Sequence, residues 1–280
     1  MGRAEELKAM HKTQMGNPDT EGFLLDGPVA DGQQLLSSNR VAVWWLSLDE
    51  IQDMDWGKLD SLLIEEERER SERFHFDRDR LVYVAAHAAC RGLLSYCLGG
   101  SPLSWRFSVE DHGKPELVCS PGQPRYRVNI SHTRGLAAVA LSQEHDIGVD
   151  VEWRQRNAPA DQLARRMFAE SERLRVEAAA GAEKLDLFLG FWTLKEAYVK
   201  AIGKGLSQPL DAFAFDLETH EISFRDSLAD RPANWHFERY RPGPDYLMAL
   251  AVRHPDKSSL IVDARPAPLG YLLDLAGSEL

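Results

Sequence analysis

Two acidic residues two positions apart, and a third followed four residues later by a lysine, are the side chains in this sequence best placed to do chemistry. Ile147-Gly148-Val149-Asp150-Val151-Glu152 alternates apolar with small or acidic residues, the pattern of a strand whose successive side chains leave opposite faces. Asp150 and Glu152 then project together while Ile147, Val149 and Val151 enter a core. Like charges this close repel, and one pKa rises. A divalent cation between them removes that cost. Mg²⁺ suits the position because it takes hard oxygen ligands: one or two carboxylates, with phosphate and water completing the set. Taken alone, the segment reads equally as a half-exposed strand with an acidic solvent face.

Phe191, Leu194, Tyr198 and Ile202 recur at the helical period in FWTLKEAYVKAI, so this stretch is expected to be an amphipathic helix. Glu196 and Lys200, four apart, share a face. In isolation they would be a surface ion pair of little weight. If Glu196 joins Asp150 and Glu152, three carboxylates converge on one cation and Lys200 adds a fixed charge one turn away. That arrangement would neutralise diphosphate oxygens as a P–O bond breaks.

Other segments could face a phosphate. Lys114-Pro115 follows a glycine in a turn-prone stretch, and Pro115 holds Lys114 extended. Ser131-His132 sits on a turn between two strand candidates, where a hydroxyl and an imidazole can both meet phosphate oxygens or simply bond the turn. A serine hydrolase is disfavoured, because adjacent side chains rarely converge and no G-x-S-x-G elbow surrounds Ser131. Arg70 and Arg73, three apart, share a helix face that could equally be solvated surface.

The elements that must position these groups are legible in outline. A strand is expected from Val41 (VAVWWLSL), one helix over 58–73 and another over about 79–98, ending at Gly99-Gly100. Short strands follow (WRFSV, RVNI, LAAVALS, DIGVDVEW), then helices over about 160–180 and through the Glu196 segment, then FAFDL, EISF, WHFERY and YLMALAV, with a short apolar tail. The order suggests α+β: two similar α/β lobes related by a pseudo-twofold axis, with the active site in the cleft between them. The expected divisions are a polar, flexible extension over 1–40, an N-terminal lobe over 41–145 and a C-terminal lobe over 146–280.

With 33 basic and 44 acidic residues the net charge is −11, which disfavours a general nucleic-acid binder. Any polyanionic substrate must meet a local basic patch. Three cysteines, Cys90, Cys97 and Cys119, give no disulfide framework. The start lacks a signal peptide and no apolar run reads as a membrane span, so no membrane partner and a cytoplasmic location are expected.

Taken together, GKPEL (113–117), NISHT (129–133), GVDVE (148–152) and WTLKEAYVKAIGKGL (192–206) resemble the 4′-phosphopantetheinyl transferase superfamily in its two-lobed Sfp-type branch. The resemblance runs from about Arg70 to about Pro255, and residues 1–40 have no counterpart. It implies transfer of 4′-phosphopantetheine from coenzyme A to a serine of an apo acyl or peptidyl carrier protein, releasing 3′,5′-ADP. The cation would be Mg²⁺, with Mn²⁺ accepting the same oxygen ligands. It implies that Asp150, Glu152 and Glu196 hold the metal and that Lys200 contacts the diphosphate. Arg70, Arg73, Lys114, Pro115, Ser131 and His132 would meet the rest of the coenzyme. A further family arginine falls near Val82, so Arg80 or His87 would have to replace it. Glu172, in FAESE, matches an additional family carboxylate, with Glu170 the competitor, and is the second candidate for general base after Glu196. The carrier is expected to dock around Arg165, Arg166, Met167 and Phe168, and a monomer suffices. Two other readings use the same residues: a Mg²⁺-dependent nucleotide pyrophosphate hydrolase, and an inactive carrier-binding module.

Overall fold

The computed structural model describes residues 36–109, 115–120, 122–156, 159–225 and 228–277. In chain order the first half contains β1 (Arg40–Ser47), α1 (Trp56–Ser61), α2 (Glu65–Glu72), α3 (Asp77–Leu98), β2 (Phe107–Val109), β3 (Pro115–Leu117), β4 (Tyr126–Thr133) and β5 (Leu136–Gln143). The second half contains β6 (Ile147–Trp153), α4 (Ala160–Met167), α5 (Glu170–Ala178), α6 (Gly181–Ile202), β7 (Phe213–Phe215), β8 (Ile222–Phe224), β9 (Trp235–Tyr240) and β10 (Tyr246–Arg253). The chain then adds β11 (Ile261–Pro266) and α7 (Leu269–Gly277).

The two halves repeat one topology. In the first, β1, the long helix α3, the β2–β3 hairpin, β4 and β5 give the sheet order β1-β5-β4. In the second, β6, the long helix α6, the β7–β8 hairpin, β9 and β10 give β6-β10-β9. All four of these sheet pairings are antiparallel. The two similar lobes suggested by the element order are therefore built around β5 and β10, each central in its sheet.

Strand alternation sets the layers. Ala42, Trp44, Ala137, Val139 and Leu141 face α3 in the first core, while Leu247, Ala249 and Ala251 face α6 in the second. The opposite sides of both sheets meet: Val41, Val43, Ala138, Ile147, Val149, Val151, Met248 and Leu250 form a third core between the lobes. The 22-residue α3 is long and apolar enough to cross a membrane by length and composition, which corrects the expectation of no such run. Here it is the central helix of the first core, with 83% of its most apolar stretch buried.

Three other expectations change. Leu59, Leu62 and Leu63 are all fully buried, whereas Glu65–Glu72 is polar on every side. One straight helix over 58–73 cannot serve both demands. The chain breaks at Ile64, whose N–H is accepted by the Glu67 carboxylate at 3.3 Å. The 160–180 helix breaks likewise at Phe168-Ala169, where both residues are buried and extended. Finally, the last segment leaves the second lobe: β11 pairs in parallel with β1, and Leu272 and Ala276 of α7 pack into the first core. Leu36 is already buried in that core, so the expected 1–40 extension is ordered at its end. Residues 1–35 lie outside the described residues.

β11 also breaks the pseudo-symmetry. It occupies the edge of β1 that corresponds to the edge of β6 facing β4, leaving the β4–β6 seam as the unmatched one.

Candidate active site

Gly148 is where α6 touches β6. A Cβ at this position would stand 2.0 Å from the Ala197 carbonyl oxygen and 2.6 Å from Ala201 N, so only hydrogen fits. This approach brings Glu196 and Lys200 against the Asp150 face of β6. The acidic row is therefore covered by a helix and is not a solvent face: Asp150 is buried and Glu152 half-buried.

Across the seam, β4 completes the site. Asn129 Oδ1 accepts the Val149 N–H at 2.8 Å and Ser131 Oγ accepts that of Val151 at 3.3 Å. Side chains of β4 thus substitute for a strand ladder between the lobes. Ser131 also donates to Asp150 Oδ1 at 3.1 Å, and Lys200 Nζ donates to Ser131 Oγ at 2.8 Å, Asp150 Oδ1 at 2.7 Å and Val149 O at 3.2 Å. Glu152 pairs with Arg156, four residues on.

The electrostatics are strained in one sense. Burial, then Asp150, push the Glu196 carboxyl up to about 7, with Glu152 adding to and Lys200 opposing the shift. Glu152 is also raised, by burial and then Asp150, against the pull of Arg156. Asp150 Oδ2 is buried and has no hydrogen-bond partner. A desolvated carboxylate oxygen with no donor, beside two acids with raised pKa values, fits a hard divalent cation.

A cavity of about 220 Å³ lies on the α3 side of β4, with Arg70, Tyr83, His87, Phe107, Pro115 and Ile130 in its wall. Ile130 and His132 share that face of β4, while Asn129 and Ser131 leave the opposite face toward the lobe seam. Burial and the Lys200 charge hold the His132 imidazole below its ordinary pKa, and Asp79 opposes them. His87 stacks on Tyr83 with ring centroids 3.9 Å apart, and burial lowers its pKa too. In the cavity wall, Arg91 is fully buried and bidentate to Glu67, at 2.6 and 2.9 Å.

Comparisons with known proteins identify the family. A family profile described as 4′-phosphopantetheinyl transferase superfamily matches residues 146–251, and one described as 4′-phosphopantetheinyl transferase, N-terminal, matches 50–144. The chain is 32% identical to 4′-phosphopantetheinyl transferase Sfp of Bacillus subtilis over 200 residues, covering 70% of this chain and 84% of that protein. The chain belongs to the 4′-phosphopantetheinyl transferase superfamily. It is also 31% identical over 221 residues to 4′-phosphopantetheinyl transferase HetI of Nostoc sp., covering 78% of this chain and 89% of the relative. Among solved structures, a holo-(acyl-carrier-protein) synthase from Bacillus anthracis in complex with CoA (3′,5′-ADP) aligns at 22% identity and a TM-score of 0.32, covering 37% of this chain and 93% of that one.

In this phosphopantetheinyl transferase the seam brings together Ser131, Asp150, Glu152, Glu196 and Lys200, with His132 beside them. Arg70 reaches the cavity, its guanidinium 5.9 Å from the centre of the Tyr83 ring, and Pro115 lines it. Arg73 does not: its side chain is 75% exposed and pairs with Glu69 at 3.5 Å. Lys114 lies outside the described residues. Val82 is buried, Arg80 pairs with Asp77 at 3.6 Å, and His87 is the alternative that lines the cavity.

Glu172 is corrected. It is 1% exposed, its Oε1 accepts Phe215 N at 2.9 Å, and its Oε2 accepts Ala169 N at 3.0 Å and faces Lys195 Nζ at 2.8 Å. A carboxylate this buried, already held by three donors, has no access to an incoming hydroxyl. Phe168 is corrected as well: it is 4% exposed and stacked on Phe188, so it belongs to the second core. Sequence reasoning missed Asn129, Arg156 and the Lys195–Glu172 pair. Asn129 and Lys195 lie inside recognised motifs, but nothing in their spacing reveals a partner that comes from another strand or helix.

Proposed function

We propose that this chain transfers the 4′-phosphopantetheine group of coenzyme A to a serine of an apo acyl or peptidyl carrier protein, releasing 3′,5′-ADP. The observation that carries the reading is the Lys200–Asp150–Ser131 cluster at the lobe seam, with the orphaned Asp150 Oδ2 inside it and an aromatic cavity one strand position away. Asp150, Glu152 and Glu196 would hold Mg²⁺, or Mn²⁺, which when bound supplies positive charge to the diphosphate oxygens.

The chain's own residues do the rest. The cavity lined by Tyr83, His87, Phe107 and Pro115 would take part of the nucleotide end, with Arg70 at its wall. Lys200 and Ser131 present an ammonium and a hydroxyl toward the diphosphate. The carrier serine oxygen forms a bond to the β-phosphorus as the bond from that phosphorus to the oxygen of 3′,5′-ADP breaks. The serine proton needs an acceptor, and Glu196, beside Asp150 and Lys200 at the seam, is the candidate base, directly or through a cation-bound water. The proposed docking surface is α4 around Arg165, Arg166 and Met167, whose basic residues complement an acidic carrier. Arg165 is already paired with Glu177 at 2.8 Å, whereas Arg166 is exposed and has no salt bridge among the described residues. All of these groups lie in one chain, so a monomer in the cytoplasm is our reading.

Incubation with coenzyme A, Mg²⁺ and a panel of apo carrier proteins, read by intact mass, tests it. One phosphopantetheine added per carrier is the expected result. Cleavage of coenzyme A with unmodified carrier would indicate a hydrolase, and no cleavage with carrier bound would indicate an inactive binding module.

A further inference from the structure

Both carboxylates of β6 are already engaged by cations of the chain itself. Asp150 Oδ1 holds the Lys200 ammonium at 2.7 Å, and Glu152 is paired with the Arg156 guanidinium. Lys200 is fixed further by Ser131 Oγ at 2.8 Å and Val149 O at 3.2 Å. Among the described residues, no three His, Cys, Asp or Glu side chains form a group that could hold a metal ion as they stand. The acids are close enough to repel one another, yet basic side chains are interposed. A divalent cation entering this cluster would meet two positive charges at hydrogen-bonding range of its own ligands.

We infer that Lys200 and Arg156 are internal counter-ions that close the acidic cluster to a bare divalent cation, and that the diphosphate of the coenzyme opens it by taking over the charge of Lys200. The inference rests on the reading of Asp150, Glu152 and Glu196 as cation ligands. Its physical logic is exchange. The Lys200 ammonium leaves Asp150 only where other anionic oxygens replace the lost bonds, and a diphosphate supplies them. Its flexible four-carbon stem permits a short swing without movement of α6. Asp150 Oδ1 is then free to join the already unpartnered Oδ2. Cation and coenzyme thereby bind cooperatively, each tightening the other by the same factor. Arg156 acts on Glu152 in the same way from the side-chain surface, where it is 37% exposed. It positions a ligand and touches no substrate.

The test uses Mn²⁺ as probe, titrated into the full chain with and without coenzyme A, with the free ion counted by its paramagnetic resonance signal against a protein-free coenzyme blank. The wild-type protein is expected to bind Mn²⁺ about tenfold more tightly when coenzyme A is present, within the usual range of such couplings. Lys200→Met should tighten coenzyme-free Mn²⁺ binding by about tenfold and remove most of the coenzyme effect. Arg156→Met, at a partly exposed position that does not threaten folding, should also tighten coenzyme-free binding severalfold. Lys200→Arg, which keeps the charge, should resemble wild type. Coenzyme-free binding that is unchanged or weaker in both methionine variants overturns the inference, as does a wild-type affinity indifferent to coenzyme A. Holo-carrier formation by a protein lacking this coupling would remove the counter-ion role and leave the transferase reading intact. Coupling without any holo product would do the reverse.

Discussion

Glu172 and Lys195 form a sealed ion pair, Oε2 to Nζ 2.8 Å, with both side chains at most 1% exposed. Lys195 also donates to the carbonyls of Leu210 and Phe213, at 2.7 Å each. The pair therefore ties α5 and α6 to the segment leading into β7, and it fixes the rotation of α6 about its axis. The next residue, Glu196, emerges toward Asp150 because Lys195 is held in the opposite core. Removing one member leaves a buried charge without a partner, which costs about 3–5 kcal/mol. Glu172→Ala is expected to lose that much in urea unfolding. At a temperature where it is folded, it should keep near-normal turnover per folded molecule, because the Leu210 and Phe213 carbonyls still hold Lys195 and with it the rotation of α6. A collapse of turnover in a well-folded Glu172→Gln would restore this carboxylate to the chemistry.

The seam between the lobes gives a second expectation. Asn129 Oδ1 is the acceptor for the buried Val149 N–H at 2.8 Å. Without it that donor is stranded at a cost of about 1–3 kcal/mol. Asn129→Ala should lower stability by that amount and speed hydrogen exchange at Val149 selectively, as read by NMR. Uniform exchange rates across β6 in the variant would show that Asn129 does not act as the tie.

Gly148 supports a sharper case. A methyl group there would overlap the Ala197 carbonyl, which is backbone and cannot rotate away. Gly148→Ala must push α6 from β6, with an overpacking cost of about 1–3 kcal/mol or more. The same displacement moves Glu196 and Lys200 from Asp150. Activity should therefore fall by at least tenfold even at temperatures where circular dichroism shows a folded protein. Near-normal turnover would mean that the close contact does not position the site.

These residues also show how far the sequence could be read. The β6 alternation and the helical period of α6 were legible because each is a local pattern, and together they gave Asp150, Glu152, Glu196 and Lys200. The reason for Gly148 was not legible, since it lies in the helix that arrives against it. The two broken helices were missed because Leu62-Leu63 and Phe168-Ala169 continue a helical composition while tertiary burial demands a turn. The return of β11 to β1 carries no local signal: its pairing partner lies more than two hundred residues earlier. Glu172 was misread for a related reason. The resemblance matches Glu172 to a family carboxylate, and only packing shows it paired with Lys195 and closed to solvent.

The acidic cluster makes metal-free stability depend on pH in a definite direction. The Glu196 carboxyl is pushed up to about 7, first by burial and then by Asp150. In the unfolded chain it ionises near the ordinary glutamate value of about 4.3. Between those values the folded state binds a proton that the unfolded state has lost, so stability falls as pH rises. The contribution is complete below about 4.3 and is lost as pH climbs to about 7, beyond which it no longer changes. Glu152, raised in the same direction, adds to the slope. Chelator-treated protein melted between pH 5 and 8 should therefore lose thermal stability relative to Glu196→Gln as pH rises, and the two curves should run parallel above about 7. Added Mg²⁺ with coenzyme A should restore the wild type preferentially at the alkaline end, where the carboxylates are ionised and repel. Curves that stay parallel across the whole range would show that Glu196 ionises at its ordinary pKa.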